Sequence, residues 1–141
     1  MAVAESCTGG GLGDKLTEVS GSSDYFNGGV ISYTNRAKVD LLGVRERSLA
    51  SKGAVSDDVA RQMAAGARKA LHASIGVGIT GIAGPKGGSP GKPVGLVYIC
   101  VSSSRGTTCT KSLFRGSRHQ VKTRAVERSL RMLIDFVKEK Y

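Results

Sequence analysis

The stretch between Thr80 and Val94 restricts the fold more than any other part of this sequence. It holds five glycines and all three prolines of the chain, and it offers no helical pattern. On one side Ile75, Val77 and Ile79 alternate with small residues, which predicts a strand ending at Thr80. On the other, Val94 to Val101 reads as the next strand. A parallel pair needs a crossover of a dozen or more residues, usually a helix. Without that helix the fourth strand is expected to run antiparallel to the third. The competing architecture is an all-parallel, Rossmann-like sheet.

The rest of the chain fits around this pair. Met1 to Glu5 is a short apolar run, and the glycine-rich turn Cys7 to Gly13 leads into a weak helix reaching about Val19. Gly11 and Gly13 each cost such a helix up to roughly 1 kcal/mol relative to alanine. Asn27-Gly28 marks a turn, Gly29 to Tyr33 a second strand and Asn35 to Leu42 a short helix. Ser56 is a good N-cap, and Val59, Met63, Ala67 and Leu71 repeat at helical spacing, predicting a helix over 57–72. Thr107 to Phe114 forms a hairpin with the fourth strand. A helix over 117–138 closes the chain, with Val126, Leu130, Leu133, Ile134 and Val137 as its apolar stripe. The expected fold is α/β: a three-layer α/β/α sandwich on a mixed five-stranded sheet, with residues 1–141 as a single domain.

This topology places the C-terminal ends of strands 1, 2, 3 and 5 on one edge, where ligands bind in open α/β sheets. The segments leaving it are Ser6 to Gly10, Tyr33 to Lys38, Thr80 to Gly88, and Arg115 to Arg118. Ser6 stands where a strand gives way to a turn opening a helix, a geometry that exposes a hydroxyl and aims backbone N–H groups at an oxyanion. It equally suits a simple helix cap. Cys7 is intrinsically the better nucleophile, but neither His72 nor His119 is tied to this edge, and a buried structural thiol fits it better. Lys38 can reach back to the edge as a base if its pKa falls from ~10.4 toward ~7–8, or it is a solvated surface lysine. The loop Gly81 to Gly88 can bring amides to an anion or be an ordinary surface turn. Gly76, Gly78 and Gly81 match G-x-G-x-x-G but lie within a strand, and no acidic residue follows about twenty positions on.

The 21 Lys+Arg against 11 Asp+Glu give a net charge of +10, which favours an anionic partner. Residues 105–131 alone contribute eight basic residues and one acid, Glu127. Arg124, Arg128 and Arg131 fall opposite the apolar stripe, whereas Arg118 and Lys122 flank it near the helix start. Basic residues there oppose the helix dipole unless a bound anion compensates both. Nucleic-acid backbone binding is the other use of such a segment, but with 5% aromatics and no Trp a base-stacking platform is poorly supplied. No apolar run approaches a membrane span, and the start has no signal-peptide pattern. Cys7, Cys100 and Cys109 are an odd set whose spacing fits neither a disulfide framework nor a zinc site. A reduced, soluble, cytoplasmic protein is expected.

Taken together, Ala4-Glu5-Ser6-Cys7-Thr8-Gly9-Gly10, Val30 to Asn35 with Lys38, Leu41-Leu42-Gly43-Val44 and Gly53-Ala54-Val55-Ser56 form an ordered set of motifs. Ile79 to Pro85 with Gly87-Gly88, Lys92 to Val97, and Phe114-x-Gly116-x-Arg118 continue it. The chain resembles, over nearly all of its length, the C-terminal domain of the competence/damage-inducible protein CinA, the nicotinamide-nucleotide amidase family. The resemblance implies hydrolysis of the carboxamide of nicotinamide mononucleotide to nicotinate mononucleotide and ammonia, without metal or cofactor. It further implies Ser6 as nucleophile, Lys38 as base and Tyr33 beside them. Thr8, Gly9, Gly10, Thr80, Gly81, Ala83 and Gly84 would hold the substrate, with Arg118 near its phosphate. A homo-oligomer, most simply a dimer, is expected, with neither membrane nor nucleic acid as partner. The alternatives are a basic nucleic-acid-binding module or an inactive interaction module. Departures from the family are Ser117 and Lys122 in place of an acid and an arginine. The helix that family members carry ahead of the Ala-Glu-Ser motif is expected to be absent.

Overall fold

The computed structural model describes all 141 residues, Met1–Tyr141. Its strands are β1 (Ala2–Glu5), β2 (Gly28–Ile31), β3 (Ile75–Gly81), β4 (Leu96–Ser103) and β5 (Gly106–Leu113). The helices are α1 (Gly11–Thr17), α2 (Asn35–Leu42), α3 (Glu46–Lys52), α4 (Asp57–Ala70) and α5 (Arg118–Lys140), with a 3-10 turn at Ser22–Asp24. The sheet order is β2-β1-β3-β4-β5. β1 lies parallel to β2 and β3, and β4 runs antiparallel to both β3 and β5. The helix-free loop thus has the topological effect expected of it, and the ends of β1, β2, β3 and β5 share one edge. Helix α3 had no counterpart in the sequence reading, because its seven residues show no clear apolar period.

The two faces of the sheet are covered differently. Val3, Val77, Ile79, Val97, Ile99 and Val101 point towards α1 and α5, where Leu12, Val121, Ala125 and Phe136 complete the larger core. Ala2 and Ala4 point the other way, towards Leu42, Val44, Val59, Met63 and Ala67. Helix α4 lies unusually close to the sheet on that side. A Cβ at Gly76 would stand 2.1 Å from the Ala64 carbonyl oxygen, and one at Gly78 would stand 2.4 Å from that of Ala60. A Cβ at Gly66, on α4 itself, would stand 2.2 Å from the Leu42 carbonyl oxygen at the end of α2. The glycines that imitate a dinucleotide fingerprint are therefore packing positions that let backbone meet backbone.

Two expectations need correction. The α5 stripe is rotated from the sequence reading: Val126 and Leu133 are buried, but Ile134 and Val137 are 52% and 40% exposed. Val121, Ala125, Ser129, Met132 and Phe136 are buried in their place. The cysteines are not all reduced. Cys100 and Cys109 stand directly opposite each other on β4 and β5 and are joined by a disulfide, which leaves Cys7 free and buried. Sequence spacing could not show this, because the pairing follows from the hairpin register.

The glycine packing gives a contrast testable by denaturant unfolding. Gly78→Ala should lose about 1–3 kcal/mol, since the added methyl group meets rigid backbone. Gly13→Ala, whose Cβ would find its nearest neighbour at 3.6 Å, should gain up to about 1 kcal/mol from helix propensity.

Candidate active site

Ser6 follows the last residue of β1. Its N–H donates to the Ile79 carbonyl at 3.1 Å, and its own carbonyl accepts from the Gly9 N–H at 3.1 Å, closing a tight turn. Gly9 and Gly10 take left-handed backbone (φ 59° and 102°), which lets the chain enter α1 at once. Within the turn the backbone N–H groups of Cys7 and Thr8 donate to nothing in the protein. Of the two, Cys7 lines the cavity in front of Ser6, and its N–H remains available to an oxyanion.

Lys38 reaches this turn from α2, the helix that follows the neighbouring strand β2. Thr34 caps α2, its hydroxyl accepting the Ala37 N–H at 3.1 Å, so the helix starts directly after β2. Side chains in a helix lean towards its N-terminus, which sends Lys38 back over the sheet edge. The side chain is 1% exposed. Its Nζ lies 3.0 Å from Ser6 Oγ, 2.8 Å from the Ser32 carbonyl oxygen and 3.3 Å from that of Tyr33. It takes part in no ion pair. Burial without a counter-charge lowers its pKa from the ordinary lysine value. Nζ donates to all three oxygens; once it gives up a proton, two N–H groups can keep the carbonyls and a lone pair can turn to the serine hydroxyl. The solvated-lysine alternative fails on burial.

Cys7 is the neighbouring thiol, and burial pushes its pKa up to about 11. At neutral pH it stays protonated and is a poor nucleophile.

The cavity in front of Ser6 has a volume of about 250 Å³. Ser6, Tyr33, Lys38, Thr80, Gly81, Ala83, Gly84 and Arg118 all line it, so most of the residues singled out in the sequence meet there. Thr80 is committed to structure, its hydroxyl donating to the Ala54 carbonyl at 2.8 Å. Arg118 opens α5 behind the N-cap Ser117, which forms a reciprocal capping box with Gln120. Its guanidinium donates to the Gly84 carbonyl at 2.7 Å and to the Tyr33 hydroxyl at 3.1 Å. Two of its five N–H donors are thereby used, and three remain for an anion. The Tyr33 ring is exposed, and its hydroxyl meets Arg118 where the sequence reading had it near the serine; only its backbone carbonyl touches Lys38.

Thr8, Gly9 and Gly10 fall elsewhere. They line a neighbouring cavity of about 490 Å³ with His119, Lys122 and Leu130, behind the serine turn. Asn35, Ala54, Val55 and Lys86 stand in the motifs and the glycine loop read in the sequence but were not expected as site residues, yet they line the Ser6 cavity. Lys86 stands in the glycine loop already under suspicion. Ala54 and Val55 carry no chemical signal beyond their place in the Gly53–Ser56 motif, and the Thr80 bond to Ala54 ties them to the site. No acidic residue lines this cavity, whereas Lys38, Lys86 and Arg118 do. The arrangement can activate a serine hydroxyl beside a seat for an anion.

Comparison with known proteins adds the family. The chain is 66% identical over 107 residues to a CinA-like protein of Acaryochloris marina, covering 76% of this chain and 26% of that protein. It is 55% identical over 127 residues to a CinA-like protein of Microcystis aeruginosa, covering 89% of this chain and 30% of that one. It thus spans about a quarter to a third of those curated relatives. A crystal structure of the competence/damage inducible protein CihA from Agrobacterium tumefaciens superposes with a TM-score of 0.93 at 43% identity, over 95% of this chain and 82% of that one. A CinA superfamily protein from Escherichia coli superposes with a TM-score of 0.92 at 33% identity, over 96% and 78%. The family model described as the CinA C-terminal domain matches residues 1–137, and the chain belongs to that family.

Proposed function

We propose that this domain hydrolyses the carboxamide of nicotinamide mononucleotide, releasing ammonia and nicotinate mononucleotide, with Ser6 as nucleophile and Lys38 as its base. The observation that carries the reading is the buried Lys38 amine 3.0 Å from Ser6 Oγ, held by two backbone carbonyls and no carboxylate. At about 250 Å³ the cavity lies below the ~300–1,000 Å³ of drug-sized ligands. It suits a compact ring, with the anionic end of the nucleotide at the open rim.

A carboxamide is a poor electrophile with a poor leaving group, so nucleophile, oxyanion and departing amine all need help. Ser6 Oγ attacks the carboxamide carbon while Lys38 Nζ takes the hydroxyl proton. Negative charge gathers on the carboxamide oxygen, on the side of the cavity lined by Cys7, whose N–H is free. Lys38 returns its proton to the amide nitrogen, the C–N bond breaks, ammonia leaves, and an ester on Ser6 remains. Neutral Lys38 takes a proton from water as the water oxygen attacks the ester carbon, then passes that proton to Ser6 Oγ as the ester C–O bond breaks, releasing nicotinate mononucleotide and restoring Ser6. Arg118 and Lys86 hold the phosphate, so that binding energy far from the reacting carbon orients it. Tyr33 acts at the rim, by holding Arg118 in place.

The decisive assay is ammonia release from a panel of amides with and without a ribose phosphate. Ser6→Ala and Lys38→Ala should each lower kcat by at least about 10²–10⁴-fold while nucleotide binding persists. Retained turnover in Ser6→Ala, with loss in Cys7→Ala, would move the nucleophile to the thiol. Tight, steeply salt-dependent DNA binding without ammonia release would favour the nucleic-acid reading instead.

The titration of Lys38 leaves two pH signatures. Activity should rise with pH as Lys38 loses its proton, with a midpoint below the ~10.4 of free lysine. Stability should rise over the same window, because the unfolded chain there holds a proton that the folded chain has released. Denaturant midpoints of the wild type, taken relative to Lys38→Met, should therefore shift in favour of the wild type as the pH rises towards about 10. Arg118→Ala should raise KM for the phosphorylated substrate about tenfold or more with a small change in kcat, as loss of a charged hydrogen bond requires.

A further inference from the structure

Glu5, the residue before the nucleophile, is 1% exposed and carries a carboxylate with no cationic partner. Such a group is costly to bury unless donors surround it. Three do. Oε1 accepts the Thr8 hydroxyl at 2.6 Å and the Leu12 N–H at 2.9 Å, and Oε2 accepts the Gly13 N–H at 3.0 Å. The side chain therefore ties the turn after Ser6 to the first turn of α1. Its main chain faces the other way: the Glu5 carbonyl accepts the Ser32 N–H at 2.8 Å, and the Ser32 carbonyl in turn accepts from Lys38 Nζ. Glu5 does not line the Ser6 cavity, so it has no contact with a bound substrate.

We propose that Glu5 is a positioning residue, whose carboxylate clamps Thr8 and the start of α1 so that Ser6 and the free Cys7 N–H keep their aim. The inference rests on the serine–lysine reading above. An acceptor-only group is what this position demands. A glutamine of the same shape would turn its NH₂ towards the Gly13 N–H or towards the Leu12 and Thr8 donors, and one end of the clamp would open. A plain structural cap would affect stability alone. A positioning residue also affects the chemical step.

The test uses two readouts on the intact chain. One is ammonia release from nicotinamide mononucleotide. The other is the rate at which a fluorophosphonate probe labels Ser6, followed by mass spectrometry, which needs the serine and its oxyanion donors but no amide substrate. In Glu5→Gln, kcat and the labelling rate should both fall about 10²-fold, as for a small misplacement of reacting groups. KM should stay within about twofold. A Glu5→Gln variant that melts earlier yet keeps wild-type kcat and labelling below its melting point overturns the proposal. Should Glu5→Gln fail to fold, Thr8→Val removes one donor and leaves the carboxylate in place. Its labelling rate should fall and be recovered by Thr8→Ser, whereas a Thr8→Val labelled as fast as wild type overturns the clamp. A wild-type protein that neither labels at Ser6 nor releases ammonia defeats the serine–lysine reading itself, and Glu5 with it. Labelling without ammonia release defeats only the choice of substrate.

Discussion

A lysine amine withdrawn from water with no carboxylate beside it is the interaction on which the rest of the site depends. Lys38 is held by two backbone carbonyls and one hydroxyl, and all three come from the ends of adjacent parallel strands. Only a parallel β1–β2 pair puts the serine turn and the Ser32–Tyr33 carbonyls at the same edge, with α2 starting immediately afterwards. The sheet topology thus does electrostatic work. It provides acceptors that satisfy N–H groups without stabilising a positive charge as strongly as a carboxylate would.

Much of this was legible in the residues. The helix-free loop after Thr80 fixed the antiparallel hairpin, and the strand ends then brought Ser6, Lys38, Thr80 and Arg118 to one edge without further assumption. Lys38 was ambiguous in sequence because a surface lysine and a buried base look alike until burial is known. Its position one turn into a helix capped by Thr34 is what removes it from solvent. The side of the turn occupied by Thr8, Gly9 and Gly10 was not legible, because a strand end and two left-handed glycines set it together. Nor was the Cys100–Cys109 pair, which depends on the register of β4 against β5.

The large positive charge has a more local meaning than composition implies. Arg124, Arg128 and Arg131 are exposed on the solvent side of α5, away from the Ser6 cavity. Three basic residues and no acid line that cavity itself. One of them, Arg118, is already fastened to the Gly84 carbonyl and the Tyr33 hydroxyl. Its remaining donors are therefore presented from a fixed frame, with less side-chain freedom to lose when an anion arrives.

The close approach at Gly66, Gly76 and Gly78 bears on more than packing. Through Gly66, α4 rests its backbone on the end of α2, the helix that carries Lys38; through Gly76 and Gly78 it rests on β3, the strand that carries Thr80. Lys38 and the far wall of the cavity are therefore spaced by one rigid strut whose closest contacts are to backbone carbonyl oxygens. Side chains at such contacts can repack and absorb a change, but bare backbone has no rotamers with which to do so. The tolerance of the serine–lysine distance is accordingly set on the opposite side of the sheet from α1 and α5, by three hydrogen atoms where other residues would carry a carbon.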